Sequence, residues 1–162
     1  VSLLLVMQAA GARPHNLSSP TGLPFSAQVP YPLKALVLSA NDRRFAASSA
    51  KLASLGFEVH RIHPHPVTSR HVRIGSGADY KKFATIVSNK MSHFTMWQLV
   101  AGDPDLPEDG WAFLFEDDVT VDPIIRDKAA LEQVLLPVMR ESADPGFIFL
   151  GICSQWKKPH CE

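Results

Sequence analysis

The segment Trp111-Ala112-Phe113-Leu114-Phe115-Glu116-Asp117-Asp118 limits what this chain can fold into more than any other. Five apolar residues in a row read as a buried strand, and three carboxylates follow with no spacer. Burying a charge is costly unless it is paired or bound to metal, so the strand is expected to end at a site at the mouth of a cleft. Alternate side chains of a strand share a face. Glu116 and Asp118 are therefore expected to point one way and Asp117 the other. Two hard oxygen ligands spaced i, i+2 on one face suit a divalent cation such as Mg²⁺ or Mn²⁺. The competing reading is an acidic strand end that is merely solvated.

Other segments supply the elements such a strand needs around it. Ala35-Leu36-Val37-Leu38 is a second apolar run of strand type, and order is expected to begin near Lys34. Ser39, Ala40, Asn41 and Asp42 form a turn able to cap a helix over 43–55, which Gly56 closes. Phe57 to Ile62 alternates as a strand. This β-turn-α-β succession predicts an α/β fold that opens a doubly wound, Rossmann-like parallel sheet. Residues 63–79 read as loop, broken by Pro64, Pro66, Gly75 and Gly77. A helix is predicted over 89–101, stopped by Gly102 and Pro104. Asp122-Pro123 predicts the start of a further helix over 124–139, ended or kinked by Pro137. Phe147 to Leu150 reads as a strand that Gly151 ends. In open α/β sheets ligands bind beyond the carboxyl ends of the strands. Those ends carry Ser39 and Asn41, Glu116 and Asp118, and Gly151.

Bulk properties bound the partners. A chain of 162 residues with 46% hydrophobic and 20% charged residues suits one ordinary globular domain, here assigned to 34–162. Sixteen basic residues balance sixteen acidic ones, which gives no electrostatic reason for a nucleic-acid partner. Residues 1–33 read as a leader or linker. The apolar run Val1 to Met7 is too short to span a bilayer, and no transmembrane segment is expected. It reads as the end of a signal peptide, with Ala10-Gly11-Ala12 as a small-x-small cleavage site. Asn16-Leu17-Ser18 is a glycosylation sequon if the chain is secreted. A start at Val1 suggests a fragment. Cys153 and Cys161 can form a disulfide or remain two thiols, and the lack of a CxxC pair argues against structural zinc.

Several constellations carry chemistry. The Ser39 to Arg44 junction offers helix N-terminal N–H groups to an anion, and Arg43 and Arg44 can add charge-assisted bonds to a diphosphate. No Gly-rich dinucleotide or P-loop motif accompanies it. Asn89, His93 and Trp97 are spaced i, i+4, i+8 on one helical face. His60, His63, His65 and His71 lack the carboxylate or cysteine spacing of a metal site. Glu116-x-Asp118-x-Thr120 looks like the motif of aspartyl-phosphate phosphohydrolases, but Glu116 stands at the nucleophile's place and its extra methylene misplaces the attacking oxygen.

Taken in order, Ser92-His93-x-x-x-Trp97 followed by Phe113-Leu114-Phe115-Glu116-Asp117-Asp118-Val119 resembles glycosyltransferase family 25. That family includes bacterial lipooligosaccharide sugar transferases and collagen galactosyltransferases. Leu36-Val37-Leu38 with Arg43-Arg44, and Phe149-Leu150-Gly151, resemble further parts of its pattern, so the likeness runs over about residues 34–151. The family's Asn-Leu-Asp after the first strand is replaced by Ser39-Ala40-Asn41-Asp42, and Gly146 stands at its later Asp. The resemblance implies a GT-A-like fold, truncated here at the C-terminus, and transfer of a sugar from a UDP-sugar, often UDP-galactose, to a glycan or protein hydroxyl. It implies Mn²⁺ or Mg²⁺ on Glu116 and Asp118. Donor contacts are implied at Ser39, Asn41, Arg44, Ser92, His93 and Asp117. A eukaryotic member would work in the secretory lumen and a bacterial one in the cytoplasm. The alternative is a catalytically inactive relative that binds a nucleotide or a protein.

Overall fold

The computed structural model describes residues 3–8, 33–66, 80–106, 110–141 and 147–152. They form β1 (Leu3–Gln8), β2 (Leu33–Leu38), α1 (Asp42–Ser54), β3 (Phe57–Ile62), α2 (Tyr80–Ala101), β4 (Trp111–Glu116), α3 (Lys128–Glu141) and β5 (Phe147–Ile152). The five strands make one sheet in the order β3-β2-β4-β1-β5.

The centre of the sheet follows the sequence expectation. β2 runs parallel to both β3 and β4, so three parallel strands sit side by side. The chain leaves β2 through α1 to reach β3 on one side, then returns through α2 to β4 on the other. The two crossover helices take opposite faces. Leu33, Ala35, Val37, Phe113 and Phe115 form one core with Leu52 of α1 and Leu131, Leu135 and Met139 of α3. Leu36, Leu38, Ala112 and Leu114 form a second with Met96 and Val100 of α2. The strict two-residue alternation of these sets is why β2 and β4 read as continuous apolar runs. Phe57 closes edge to face on Phe113, with ring centroids 5.0 Å apart.

The remainder departs from an all-parallel sheet. β1 lies antiparallel between β4 and β5, with Leu5 opposite Leu114 and, on its other side, Phe149. The run read as a leader end thus has a place in the sheet. β5 extends past Gly151 to Ile152, and its register against β1 shifts between Leu4 and Leu5. Leu4 pairs with Gly151 and Leu5 with Phe149, which leaves Leu150 as the extra residue of a bulge.

Helix boundaries differ from expectation for local reasons. α1 starts where predicted, with Asn41 as N-cap accepting from the Arg44 N–H, and Gly56 takes φ 91° after the helix. α2 begins at Tyr80, a full two turns before the predicted start. Its first half contains Thr85-Ile86-Val87, whose β-branched side chains weaken the helical signal without preventing the helix. α3 begins later than predicted. Asp122 caps only a turn, accepting from the Ile124 N–H, whereas Asp127 accepts from the Ala130 N–H and starts the helix. Pro137 lies inside α3, which continues to Glu141.

Candidate functional site

The parallel register of β2 and β4 builds the site. Leu38 pairs with Glu116, so the residues that follow, Ser39 and Asp117, leave the sheet level with each other. Because β3 and β4 flank β2 on opposite sides, the gap between the carboxyl ends of β2 and β4 is the topological switch point, where ligands of open α/β sheets bind.

Alternation then divides the acids between the two faces. Asp117 turns to the α1 side. Its Oδ2 accepts from Ser39 Oγ at 2.6 Å and its Oδ1 from Arg44 Nη1 at 3.2 Å. Its backbone carbonyl accepts from the buried Ser48 hydroxyl at 2.7 Å. Ser39 has one hydroxyl proton, and the carboxylate at 2.6 Å outcompetes the Asn41 carbonyl at 3.0 Å because the bond is shorter and charge-assisted. The Asn41 N–H in turn donates to Ser39 Oγ, and Asn41 Oδ1 caps α1. Ser39, Asn41, Arg44 and Asp117 are thus brought together as one bonded group. Arg61, at the end of β3, joins it: Nε donates to the Ser39 carbonyl, Nη1 to Asp42, and the guanidinium lies 5.1 Å from the Phe45 ring centroid. The Arg61 bond holds the Asp42 carboxyl below its ordinary range.

Glu116 turns to the α2 side, as the strand alternation requires. Its Oε1 accepts from Asn89 Nδ2 at 2.9 Å and lies 3.2 Å from His93 Nε2. His93 is 5% exposed and Glu116 half-buried. The His93 hydrogen bond, helped by Asn89, holds the Glu116 carboxyl below its ordinary range against burial and the nearby Asp118 charge, which push it up. Asp118 follows the strand in a turn and is exposed. Glu116 and Asp118 therefore lie close enough to feel each other's charge, while Asp117 faces away from Glu116.

Ser92 has a different environment from His93. Its buried hydroxyl donates to the Ser88 carbonyl at 2.6 Å and accepts from the His65 N–H at 2.7 Å. Ser88 Oγ donates to the His65 carbonyl at 2.7 Å. The two serines, one turn apart, hold both backbone groups of His65 and fasten the segment after β3 to α2. Trp97 leaves the row of Asn89 and His93, since eight residues rotate a helix about 80° past two turns. It is edge-on to Phe94 instead, 6.5 Å between centroids. Ser48, Arg61 and Asn89 are the participants absent from the sequence-based site. Asn89 alone carried a signal, its i, i+4 spacing from His93.

The donor set suits one kind of ion. Among the described residues no group of three or more His, Cys, Asp or Glu side chains is arranged to hold a metal. Mg²⁺-type ions need no such cage, since one or two carboxylates plus phosphate oxygens and water complete their shell. Glu116 and Asp118 fit that mode. Among the described residues, two cavities that open elsewhere border none of the three acids. One of about 420 Å³ lies along α2 beside Lys90, Met91 and Phe94. The other, about 350 Å³, lies near Lys34, His60 and Asp103. Lys34 is paired with Asp103 there, which holds the Asp103 carboxyl below its ordinary range. Cys153, Cys161, His71, Gly146 and the Asn16 sequon lie outside the described residues. Among the described residues no helix is long and apolar enough to cross a membrane. In comparisons with known proteins, no family model, no curated protein and no solved structure matches the chain.

Proposed function

We propose that the chain is a glycosyltransferase domain of the family 25 type, GT-A-like in fold, transferring a sugar from a UDP-sugar to a hydroxyl of a glycan or protein. The observation that carries this reading is the convergence at the switch point of Glu116, Asp118 and the Ser39–Arg44 junction. One side of the gap offers carboxylates and the other a helix N-terminus with an arginine. That pairing suits a diphosphate bridged by a cation. Arg44 is held by Asp117 and remains largely exposed, so its guanidinium is oriented yet reachable. The first turn of α1 adds backbone N–H groups that lack helical acceptors.

Glu116 and Asp118 would hold Mn²⁺ or Mg²⁺, which when bound offsets the charge developing on the departing nucleoside diphosphate. Arg44 and the α1 N-terminus bind the same diphosphate from the opposite side. The sugar passes from the diphosphate to the acceptor hydroxyl: the anomeric C–O bond to the diphosphate breaks, a C–O bond to the acceptor forms, and the hydroxyl proton is lost to solvent. His93 and Asn89 orient Glu116, and Ser92 keeps the segment after β3 seated beside them.

Calorimetric titration of UDP-galactose with and without Mn²⁺, on the wild type and Asp118→Ala, tests the reading. Binding that requires Mn²⁺ and disappears in the variant is expected. Equal binding by both proteins would refute the metal–diphosphate role.

A further inference from the structure

Asn89 and His93 converge on a single oxygen, Glu116 Oε1. A carboxylate only accepts hydrogen bonds, so His93 donates from Nε2, and Nδ1 takes no part in that contact. That Nδ1 is buried and has no partner among the described residues. A buried polar atom left without a partner is costly, and an apolar side chain in the seam between α2 and the sheet would avoid the cost. The histidine is therefore spent on what Nε2 does. Rescue of a deeply buried charge is not the explanation, because the Glu116 side chain retains 23% of its exposure and can reach water. What two donors one helical turn apart achieve is direction. They fix one oxygen of the carboxylate from the α2 side and leave the orientation of the other determined.

We propose that Asn89 is a positioning residue which, with His93, locks Glu116 through Oε1 so that Oε2 is presented at the switch-point gap to the divalent cation. The proposal rests on the metal–diphosphate reading above. It assigns Glu116 a one-oxygen contact and makes the amide of Asn89 part of the cation's affinity. Removing a hydrogen-bond partner of this kind from a metal-binding group typically lowers metal affinity about 10–100-fold.

The test is Mn²⁺ titration in the presence of UDP, followed by the paramagnetic resonance of the free ion, on the full chain below its unfolding midpoint. The variants are Asn89→Leu, Asn89→Gln, Glu116→Gln and the Leu/Gln double variant. Asn89→Ser replaces Asn89→Leu, alone and in the double variant, if leucine prevents folding. Loss of the Asn89 amide is expected to weaken Mn²⁺ binding about 10-fold or more. Asn89→Gln, which keeps an amide donor, should recover part of the loss. In the Glu116→Gln background the same Asn89 substitution should cost nothing further, because its effect acts through Glu116. Unchanged Mn²⁺ affinity without the amide, or an equal loss in both backgrounds, would overturn the positioning role alone. Absence of Mn²⁺ binding by the wild type would overturn the metal reading and this inference with it.

Discussion

Replacing Asp117 by alanine separates its structural duty from a donor contact. The carboxylate accepts from Ser39 Oγ at 2.6 Å, and Ser39 is 2% exposed. A hydrogen bond to a charged acceptor contributes about 1.5–3 kcal/mol. The Arg44 pair adds about 0–1 kcal/mol, since the Arg44 side chain is 64% exposed and screened. Two features limit the loss. The freed Ser39 hydroxyl can turn to the Asn41 carbonyl, 3.0 Å away. Ser48 keeps its bond because it uses the backbone carbonyl of residue 117. Asp117→Ala should therefore destabilise by about 1.5–2.5 kcal/mol, and Asp117→Asn, which keeps an acceptor for Ser39, by about 1 kcal/mol. Urea unfolding followed by tryptophan fluorescence measures this as a lowered midpoint at unchanged slope. An unchanged midpoint with weakened UDP-sugar binding would refute the reasoning, because it would assign Asp117 to the donor rather than to the β4–α1 junction.

The pH dependence of stability should carry the signature of Glu116. Its folded pKa is depressed by His93 and Asn89, so its contribution is fully present above the ordinary glutamate value of about 4.3 and is lost as pH falls through the lower folded value. The stability gap between wild type and Glu116→Gln, measured by urea titration, should therefore shrink between pH 6 and pH 3; a gap that widens on acidification would contradict the His93 contact. Phe113→Ala empties the fully buried site at which Phe57 and Phe115 meet, and should lower stability by about 3–5 kcal/mol in thermal or urea unfolding. A loss below about 1 kcal/mol would mean that this core is not the one described.

Much of this architecture is legible in single residues. The apolar runs of β2 and β4, the Asn41 cap and Gly56 each reveal their role locally, because pattern and turn chemistry act over a few residues. The opposite facing of Glu116 and Asp117 follows from strand alternation alone. What the sequence conceals depends on distant partners. Nothing near Leu3 says that its strand inserts beside β4, since that place is set by residues more than a hundred positions away. Arg61 looks like any charge at a strand end until Ser39, Asp42 and Phe45 surround it. Ser92 and His93 are adjacent in sequence, yet neighbouring helix positions point about 100° apart, so one fastens His65 and the other Glu116.

The place of β1 also sets an order of events in folding. β2, α1, β3, α2 and β4 are consecutive and can assemble the parallel core by closing shorter loops than β1 needs to reach β4 or β5. β1 precedes the other strands, and its partners Leu114 and Phe149 follow it by more than a hundred residues. Closing so long a loop is entropically costly before any contact rewards it, which makes this pairing a late step. Until then an apolar segment, Leu-Leu-Leu-Val-Met, waits without its strands. Concentration-dependent aggregation during refolding should accordingly originate there, and polar substitution within Leu3–Met7 should relieve it while weakening the finished sheet.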